Sequence, residues 1–226
     1  MKTIVIGDTH GCFNELRDLI AELKESGEYN ATNDRLIFLG DYIDRGDDSS
    51  KVIKFIRELQ KNNENVIALM GNHEDMLIKW SDRMSDDWLY NGYNSTLNSY
   101  EGNYKQFLDD INWMRSLPLY YEDEHFVYVH AGINPAKPLD EQSKYELLWV
   151  RESFIYNPQV FNKTVVFGHT PSATITEECK PFKTITGHIG IDTACVFGGN
   201  LTALIIEDDK VTGFIQIEKE DNKNLN

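Results

Sequence analysis

Five short apolar runs, each followed at once by a loop of potential metal ligands, constrain this chain more than any other feature. The runs are short and bounded by turn residues, which is typical of buried strands. In a parallel or mixed sheet, ligand-binding groups collect at the carboxyl ends of the strands, so we expect the five loops to converge on one site. Four of the six histidines lie in these loops, which comprise residues 7–11, 40–46, 71–74, 130–132 and 168–170.

The loop over residues 40–46, Gly-Asp-Tyr-Ile-Asp-Arg-Gly, carries two carboxylates and a guanidinium in one tight turn. Asp41 and Asp44 would repel each other across so short a turn unless a cation lay nearby. Arg45 is one such cation, and a divalent metal ion is another. Taken alone, the stretch also fits a solvated turn whose charges pair with each other. The four companion loops favour a metal site.

The periodicity of apolar residues predicts amphipathic helices over Asn14–Ser26 and Ser50–Gln60, each between two predicted strands. Such a strand–helix–strand–helix–strand unit implies parallel strands joined by right-handed crossovers. The second half is predicted to be rich in strands, with a tight turn at residues 208–209 that suits antiparallel neighbours. The predicted strands cover residues 3–6, 36–39, 66–70, 126–129, 147–150, 165–167, 189–191, 201–206 and 211–217.

From about residue 80 to 116 the composition shifts towards Trp, Tyr, Asn and Asp. These aromatic residues are predicted to pack a helical cap insertion against the sheet; an aromatic wall for a substrate is the alternative. We expect one domain over residues 1–217, which includes the cap, followed by a polar tail over residues 218–226.

The composition argues against several classes of function. A formal net charge of −15 disfavours binding to nucleic acid or to anionic membranes, which needs a basic surface. An anionic substrate can still bind where metal ions place positive charge in a cleft. No apolar run approaches the roughly 20 residues of a membrane span. Three cysteines, an odd number at no ligand spacing, favour reduced thiols, so we expect a cytoplasmic protein. We also expect a monomer.

The residue types in the loops suit phosphoryl transfer. Imidazole, carboxylate and amide ligands favour a divalent ion such as manganese, iron or zinc. A carboxylate on a tight loop is a natural bridge between two ions, and a bridged pair lowers the pKa of a water held between them. Arg45 fits the role of a cation on the equatorial phosphoryl oxygens. His73 fits the role of an acid for the leaving oxygen if Asp44 orients its imidazole.

The loops together resemble the metallophosphoesterase superfamily, in the order Gly-Asp-Thr-His-Gly, Gly-Asp-Tyr-Ile-Asp-Arg-Gly, Gly-Asn-His-Glu, His-Ala-Gly and Gly-His-Thr-Pro. More narrowly, the chain resembles the phosphoprotein phosphatase family and its small bacterial and bacteriophage-lambda-type serine/threonine protein phosphatases. Matches at residues 88–92, 117–119, 148–152, 191–193 and 199–202 extend the resemblance over nearly the whole chain. The resemblance implies an α/β fold, a four-layer α/β/β/α sandwich of two mixed sheets with a dinuclear metal site at the sheet edges.

The resemblance also implies roles for individual residues. Arg45 and Arg151 would clamp the phosphate, which Asn72 would also contact, and His73 paired with Asp44 would be the general acid. Two divalent ions are implied, manganese first, with iron, zinc or nickel as alternatives. The implied ligands are Asp8, His10 and Asp41 for the first ion, and Asp41 as the bridge with Asn72, His130 and His169 for the second.

The function that the resemblance implies is a metal-dependent phosphomonoesterase. It would hydrolyse phosphoserine and phosphothreonine, and by extension phosphotyrosine, in proteins or peptides by in-line attack of a water that bridges the two ions. The alternative is a symmetrical dinucleoside-polyphosphate hydrolase of the diadenosine tetraphosphate type, which shares the metal motifs. Glu74 and Arg151 are taken to favour the protein phosphatase. A third hypothesis, a binding protein without activity, is disfavoured because the ligands, His73 and Asp44 are all present.

Overall fold

Ten strands form the centre of the molecule, and the computed structural model describes them within residues 1–220. The strands are β1 (Thr3–Ile6), β2 (Arg35–Phe38), β3 (Val66–Ala68), β4 (Tyr120–Glu122), β5 (Phe126–Val129), β6 (Thr164–Phe167), β7 (Phe182–Lys183), β8 (Ile189–Gly190), β9 (Asn200–Glu207) and β10 (Lys210–Glu218). They make two five-stranded sheets, ordered β10-β9-β1-β2-β3 and β4-β5-β6-β8-β7. Both sheets are mixed. In the first sheet β1, β2 and β3 are parallel, and β9 and β10 add antiparallel pairs on one side. In the second sheet the parallel pairs of β5, β6 and β8 are flanked on both sides by antiparallel pairs.

Helices follow most of the strands. The α-helices are α1 (Phe13–Glu25), α2 (Ser49–Asn62), α3 (Asn72–Ser81), α4 (Tyr93–Ser99), α5 (Tyr104–Arg115), α6 (Lys144–Trp149), α7 (Glu152–Ile155) and α8 (Ala173–Thr176). Short 3₁₀ helices cover Asp87–Tyr90, Leu139–Glu141 and Cys195–Phe197. Helices α1 and α2 confirm the two predicted amphipathic helices. Each observed end lies within two residues of the predicted one.

Three buried clusters separate the layers. Because successive side chains of a strand point to opposite faces, Ile4 faces the helices on the outer side of the first sheet, whereas Ile37 faces the second sheet. Val166 of the second sheet meets Ile37 in the cluster between the sheets. Val165 points the other way and packs with Phe154 of α7. The order helix, sheet, sheet, helix confirms the predicted four-layer sandwich.

One predicted strand is a helix. The apolar run over residues 147–150 predicts a strand, but most of it belongs to α6. The reason lies just upstream, where the Ser143 hydroxyl accepts a hydrogen bond from the Glu146 amide at 3.2 Å and the Glu146 carboxylate accepts one from the Ser143 amide at 2.7 Å. This capping box starts a helix, and a short apolar run cannot override it.

The cap insertion consists of the 3₁₀ helix at Asp87–Tyr90 with α4 and α5. Its aromatic residues mostly pack, as predicted: Trp88 and Tyr100 are buried in the helix-side core, and Tyr93 and Trp113 pack against it. Tyr90 and Tyr104 are the exceptions, because both are exposed. The insertion therefore rests on the first sheet.

The limits of the domain stay a prediction. Strand β10 extends to Glu218, one residue beyond the predicted boundary, and residues 221–226 of the predicted tail lie outside the described residues. Within residues 1–220, no helix is both long enough and apolar enough to cross a membrane. All three cysteines are free thiols.

The layer between the sheets gives a test of the fold. Ile37 is fully buried there, and Ile37→Ala is expected to lower the free energy of unfolding by about 2–5 kcal/mol because it leaves a cavity between the sheets. Val160, 75% exposed, is the control, and Val160→Ala should change the value by less than about 0.5 kcal/mol. Urea denaturation measures both variants. Equally small effects would mean that the inter-sheet packing is wrong.

Candidate metal centre and active site

Parallel pairing places the predicted loops at one edge of the sandwich. Ile6 is level with Phe38, and Phe38 with Ala68, so β1, β2 and β3 end together. In the second sheet Val129 is level with Phe167, so β5 and β6 end together as well. Each of these strands is followed directly or almost directly by one of the five predicted loops.

Backbone hydrogen bonds tie these loops to one another. The His10 amide donates to the Asp41 carbonyl at 2.8 Å, and the Gly46 amide donates to the His10 carbonyl at 3.0 Å. Between the two sheets, the His169 amide donates to Asp8 Oδ2 at 2.9 Å. The expected convergence of the loops is therefore confirmed.

Several site residues have a left-handed backbone, which residues other than glycine rarely adopt. They are His10 (φ 40°), Asp41 (φ 52°), Asp44 (φ 72°), Arg45 (φ 70°) and His169 (φ 62°). Each such residue costs on the order of 1–3 kcal/mol, and this kind of strain clusters at functional sites. The fold holds these side chains in conformations that the local chain does not prefer.

Asp41 lies between two groups of ligand atoms. One group contains His10 and His73, the other contains His130 and His169, and Asp41 belongs to both; within each group the atoms lie within 4.8 Å of one another. Asp41 Oδ2 is 3.4 Å from His10 Nε2, and Oδ1 is 3.4 Å from His130 Nε2. Each carboxylate oxygen thus faces a different group, as in a carboxylate that bridges two ions.

The histidines present lone pairs to the centre. His10 Nδ1 donates to the Ile43 carbonyl at 2.8 Å, and His130 Nδ1 donates to the Leu39 carbonyl at 3.0 Å, because a carbonyl oxygen can only accept. In neutral imidazoles the other nitrogen, Nε2, then carries the lone pair that a metal uses. Burial lowers the pKa of His10, His130 and His169, which favours the neutral form.

Buried polar atoms show that the residues fit bound cations. Within residues 1–220, Asp8 Oδ1 and His169 Nε2 are buried without a hydrogen-bond partner. Asn72 Oδ1 lies 2.8 Å from His130 Nε2, where two electron-pair donors face each other. Burial, reinforced by neighbouring carboxylates, raises the pKa of Asp8. Divalent ions bound by these oxygen and nitrogen atoms would give the two unpartnered atoms a partner and would relieve the repulsion between Asn72 Oδ1 and His130 Nε2.

One of the two observed ligand groups differs from the ligand set that the resemblance implies. His73 occupies the group in which the resemblance places Asp8, and its Nε2 is 3.9 Å from Asp41 Oδ2. The other ring nitrogen, Nδ1, is 2.6 Å from Asp44 Oδ2, which is the predicted pairing. The geometry of His73 is therefore compatible with a metal ligand as well as with an acid.

Two residues of the cap hold Asp44, a contact that the sequence reasoning missed. Asp44 is fully buried. Its carboxylate accepts hydrogen bonds from Trp88 Nε1 at 2.9 Å and from Thr96 Oγ1 at 2.6 Å, besides the contact with His73. Trp88 lies in residues 88–92, one of the stretches that carry the family resemblance. No signal in the sequence singled out Thr96. The cap insertion thus completes the environment of the His73–Asp44 pair.

Glu74 supports the loop of Asp41 from behind. Its carboxylate accepts three backbone N–H bonds of 2.8–2.9 Å, from Asp41, Tyr42 and Gly71. Burial raises the pKa of Glu74 to about 8, and the three backbone bonds oppose that rise. Glu74 also stands in the first turn of α3, where a carboxylate favours the helix N-terminus. Its contacts are those of a residue that holds the loop.

The two predicted clamp arginines lie on opposite sides of the centre. Arg45 Nη1 is 2.5 Å from His10 Nε2. Arg151 Nη1 donates to the His169 carbonyl at 3.0 Å. Both residues are exposed, so each reaches from the surface towards a different ligand group.

Residues 1–199 match the family model described as calcineurin-like phosphoesterase. That match spans most of the chain, so the chain belongs to the calcineurin-like metallophosphoesterases, and the superfamily that the motifs indicated is confirmed. The family implies divalent metal ions, which agrees with the ligand groups described above.

Curated relatives narrow the comparison. The asymmetrical bis(5'-nucleosyl)-tetraphosphatase PrpE of Oceanobacillus iheyensis is 29% identical, over 90% of this chain and 88% of its own length. The symmetrical bis(5'-nucleosyl)-tetraphosphatase of Nitrosospira multiformis is 24% identical, over 93% of this chain and 94% of its own length.

Solved structures share the fold with this chain. A "putative diadenosine tetraphosphatase" superposes with a TM-score of 0.69 at 21% identity, over 97% of this chain and 94% of that one. The cold-active protein-tyrosine phosphatase of a Shewanella species superposes with a TM-score of 0.65 at 18% identity, over 97% of this chain and 80% of that one. At these identities the likeness concerns the fold alone.

The expectation of a protein phosphatase that acts on phosphorylated proteins or peptides is wrong. Relatives from three bacteria that match at least 90% of this chain are bis(5'-nucleosyl)-tetraphosphatases, which overturns the expected likeness to lambda-type protein phosphatases. The error has a physical reason. Glu74 contacts the backbone of the metal-ligand loop, and Arg151 contacts His169. Both therefore contact residues of the candidate metal centre, and such contacts do not indicate the substrate.

The buried Asp44 gives a test of the site. Thr96→Val keeps the shape of the side chain but removes the hydroxyl that donates to Asp44. We expect the free energy of unfolding to fall by about 1.5–3 kcal/mol, the value of one hydrogen bond to a charged group, because Trp88 and His73 still contact the carboxylate. Thr174→Val is the matched control, because its hydroxyl bonds a backbone carbonyl at an exposed position. Equal losses in both variants, measured by urea denaturation, would contradict the buried network.

Proposed function

We propose that this protein is a metal-dependent hydrolase of dinucleoside tetraphosphates. The observation that carries the proposal is the similarity, along at least 90% of the chain, to bis(5'-nucleosyl)-tetraphosphatases of both the asymmetrical and the symmetrical kind. The site supports it, because two ligand groups sharing Asp41 and two flanking arginines suit a polyphosphate. The earlier alternative, the dinucleoside-polyphosphate hydrolase, thus replaces the phosphoprotein phosphatase.

The residues of the centre divide into ligands and supports. When bound, two divalent ions would supply an activated water and charge stabilisation at phosphorus. We assign manganese as the first choice. The first ion would be held by Asp8, His10 and Asp41, and the second by Asp41, Asn72, His130 and His169.

The remaining residues act on the substrate itself. Arg45 and Arg151 would bind phosphoryl oxygens from opposite sides through their forked guanidinium groups, and Asn72 would approach the same phosphate. His73, oriented by Asp44 at 2.6 Å, would donate a proton to the leaving oxygen. A nucleoside phosphate leaves as a stabilised anion, so this proton contributes less than it would for an alkoxide.

Turnover of diadenosine tetraphosphate tests the proposal. The manganese-loaded protein is assayed side by side with diadenosine tetraphosphate, a phosphoserine peptide and p-nitrophenyl phosphate. We expect the highest kcat/KM for the dinucleotide. Chromatography of the products assigns the cleavage position: two ADP for symmetrical cleavage, ATP and AMP for asymmetrical cleavage. Efficient turnover of the phosphopeptide with background rates on the dinucleotide would refute the proposal.

The shared ligand Asp41 should be the most sensitive position. Asp41→Asn removes charge from the one side chain that faces both groups, so we expect kcat/KM to fall by more than the about 10–100-fold typical of residues that only support a ligand. Metal content, measured by mass spectrometry, should fall as well. Asp47→Asn, an exposed carboxylate a few residues away, is the control. Parental turnover of Asp41→Asn after metal addition would contradict a dinuclear centre.

A leaving-group series separates the two possible roles of His73. If His73 is the acid, His73→Asn should lose about 10²–10⁴-fold on an alkyl phosphate, far less on p-nitrophenyl phosphate and diadenosine tetraphosphate, and keep its metal ions. Asp44→Asn should follow the same pattern more weakly, since the imidazole remains. Equal losses on all three substrates together with a missing ion would show that His73 is a ligand.

A further inference from the structure

Phe197 is a large apolar side chain exposed beside the candidate phosphate clamp. It is 64% exposed, although burial of such a ring is normally favourable. Arg45 Cζ lies 5.3 Å from the centre of the ring. None of the roles assigned above uses Phe197.

The ring is carried on a short helical turn with a defined backbone. Phe197 ends the 3₁₀ helix that starts at Cys195, and left-handed residues flank that helix, Ala194 (φ 63°) before it and Gly198 (φ 91°) after it. Asp192 Oδ1 accepts a hydrogen bond from the Ala194 amide at 3.0 Å and fixes the entry to the turn. The ring is therefore presented to solvent from a defined backbone position.

Arg45 links the ring to the metal centre. Its guanidinium contacts His10 Nε2 at 2.5 Å and also covers the ring of Phe197. A phosphate bound by Arg45 therefore lies within a few ångströms of an exposed aromatic face. The nucleoside attached to such a phosphate carries a flat π-system, and aromatic side chains stack on bases whatever their sequence.

We propose that Phe197 forms one wall of a nucleobase subsite, on which a purine of the dinucleotide stacks while Arg45 holds the adjoining phosphate. The inference rests on the proposed function for the identity of the natural ligand, but the subsite itself concerns any nucleoside phosphate. It differs from a simple cation–π pair, in which Phe197 would serve only to position Arg45.

Paired ligands with and without a nucleoside test the subsite. Isothermal titration of the manganese-loaded protein would compare α,β-methylene-ADP with methylenediphosphonate, neither of which can be hydrolysed between the two phosphorus atoms. Stacking of a base on an aromatic ring changes affinity by about 5- to 150-fold. Phe197→Ala should weaken binding of the nucleotide by a factor in that range and leave binding of the diphosphonate unchanged. Phe197→Trp should restore nucleotide binding.

Phe214→Ala, at an exposed phenylalanine on β10, is the matched control and should change neither affinity. Equal weakening of both ligands by Phe197→Ala would overturn the proposal and show that the ring acts through Arg45. Unchanged affinities would overturn it too. The dinucleotide assay stays independent: a protein that fails to hydrolyse diadenosine tetraphosphate but shows the selective loss has the subsite and not the proposed activity.

Discussion

The rest of the site depends on the buried carboxylate of Asp41. One of its oxygens faces His10 and the other faces His130. A buried charge is costly unless it is paired and hydrogen-bonded. The fold offsets part of that cost with the His73 amide, which donates to Asp41 Oδ1 at 3.0 Å. Divalent cations bound by the facing histidines would offset the remainder. This requirement explains why so many polar side chains meet at one edge of an otherwise apolar sandwich.

Glycines in the neighbouring loops leave space for the carboxylates of the site. A Cβ atom at Gly71 would collide with the Asp41 carboxylate, and one at Gly168 would collide with Asp8 Oδ1. Only glycine leaves room at these two positions. The Glu74 carboxylate accepts a hydrogen bond from the Asp41 amide, and this bond stabilises the left-handed backbone conformation of Asp41. Asp44 is buried by other means, because Trp88 and Thr96 reach it from the cap.

The central strands and the convergence of their loops were predictable from local patterns, whereas the four-layer sandwich was predicted from the family resemblance. Apolar runs that end in glycine loops mark the central strands, and parallel strands must bring those loops together. The helix α6 escaped prediction because its capping box, and not its apolar run, decides the local structure. The contacts of Asp44 with Trp88 and Thr96 span 44 and 52 residues, a separation that no local pattern encodes.

The substrate was mispredicted for a different reason. Residues that bind phosphate and metal are common to enzymes with different leaving groups, so motifs built from them define a reaction centre and not a substrate. Discrimination then has to come from outside the centre, and the proposed nucleobase subsite at the exposed Phe197 is one such place. No sequence periodicity marks such a position. Its place beside Arg45 is visible only in the folded structure.

The central claim is that Asp41 bridges two metal ions, and anomalous X-ray diffraction from crystals grown with manganese tests it directly. The account predicts two manganese peaks about 3.5–4 Å apart, one on the His10 side of Asp41 and one on its His130 side, each within bonding distance of a different Asp41 oxygen. A single peak, or two peaks of which one lies away from Asp41, would contradict it.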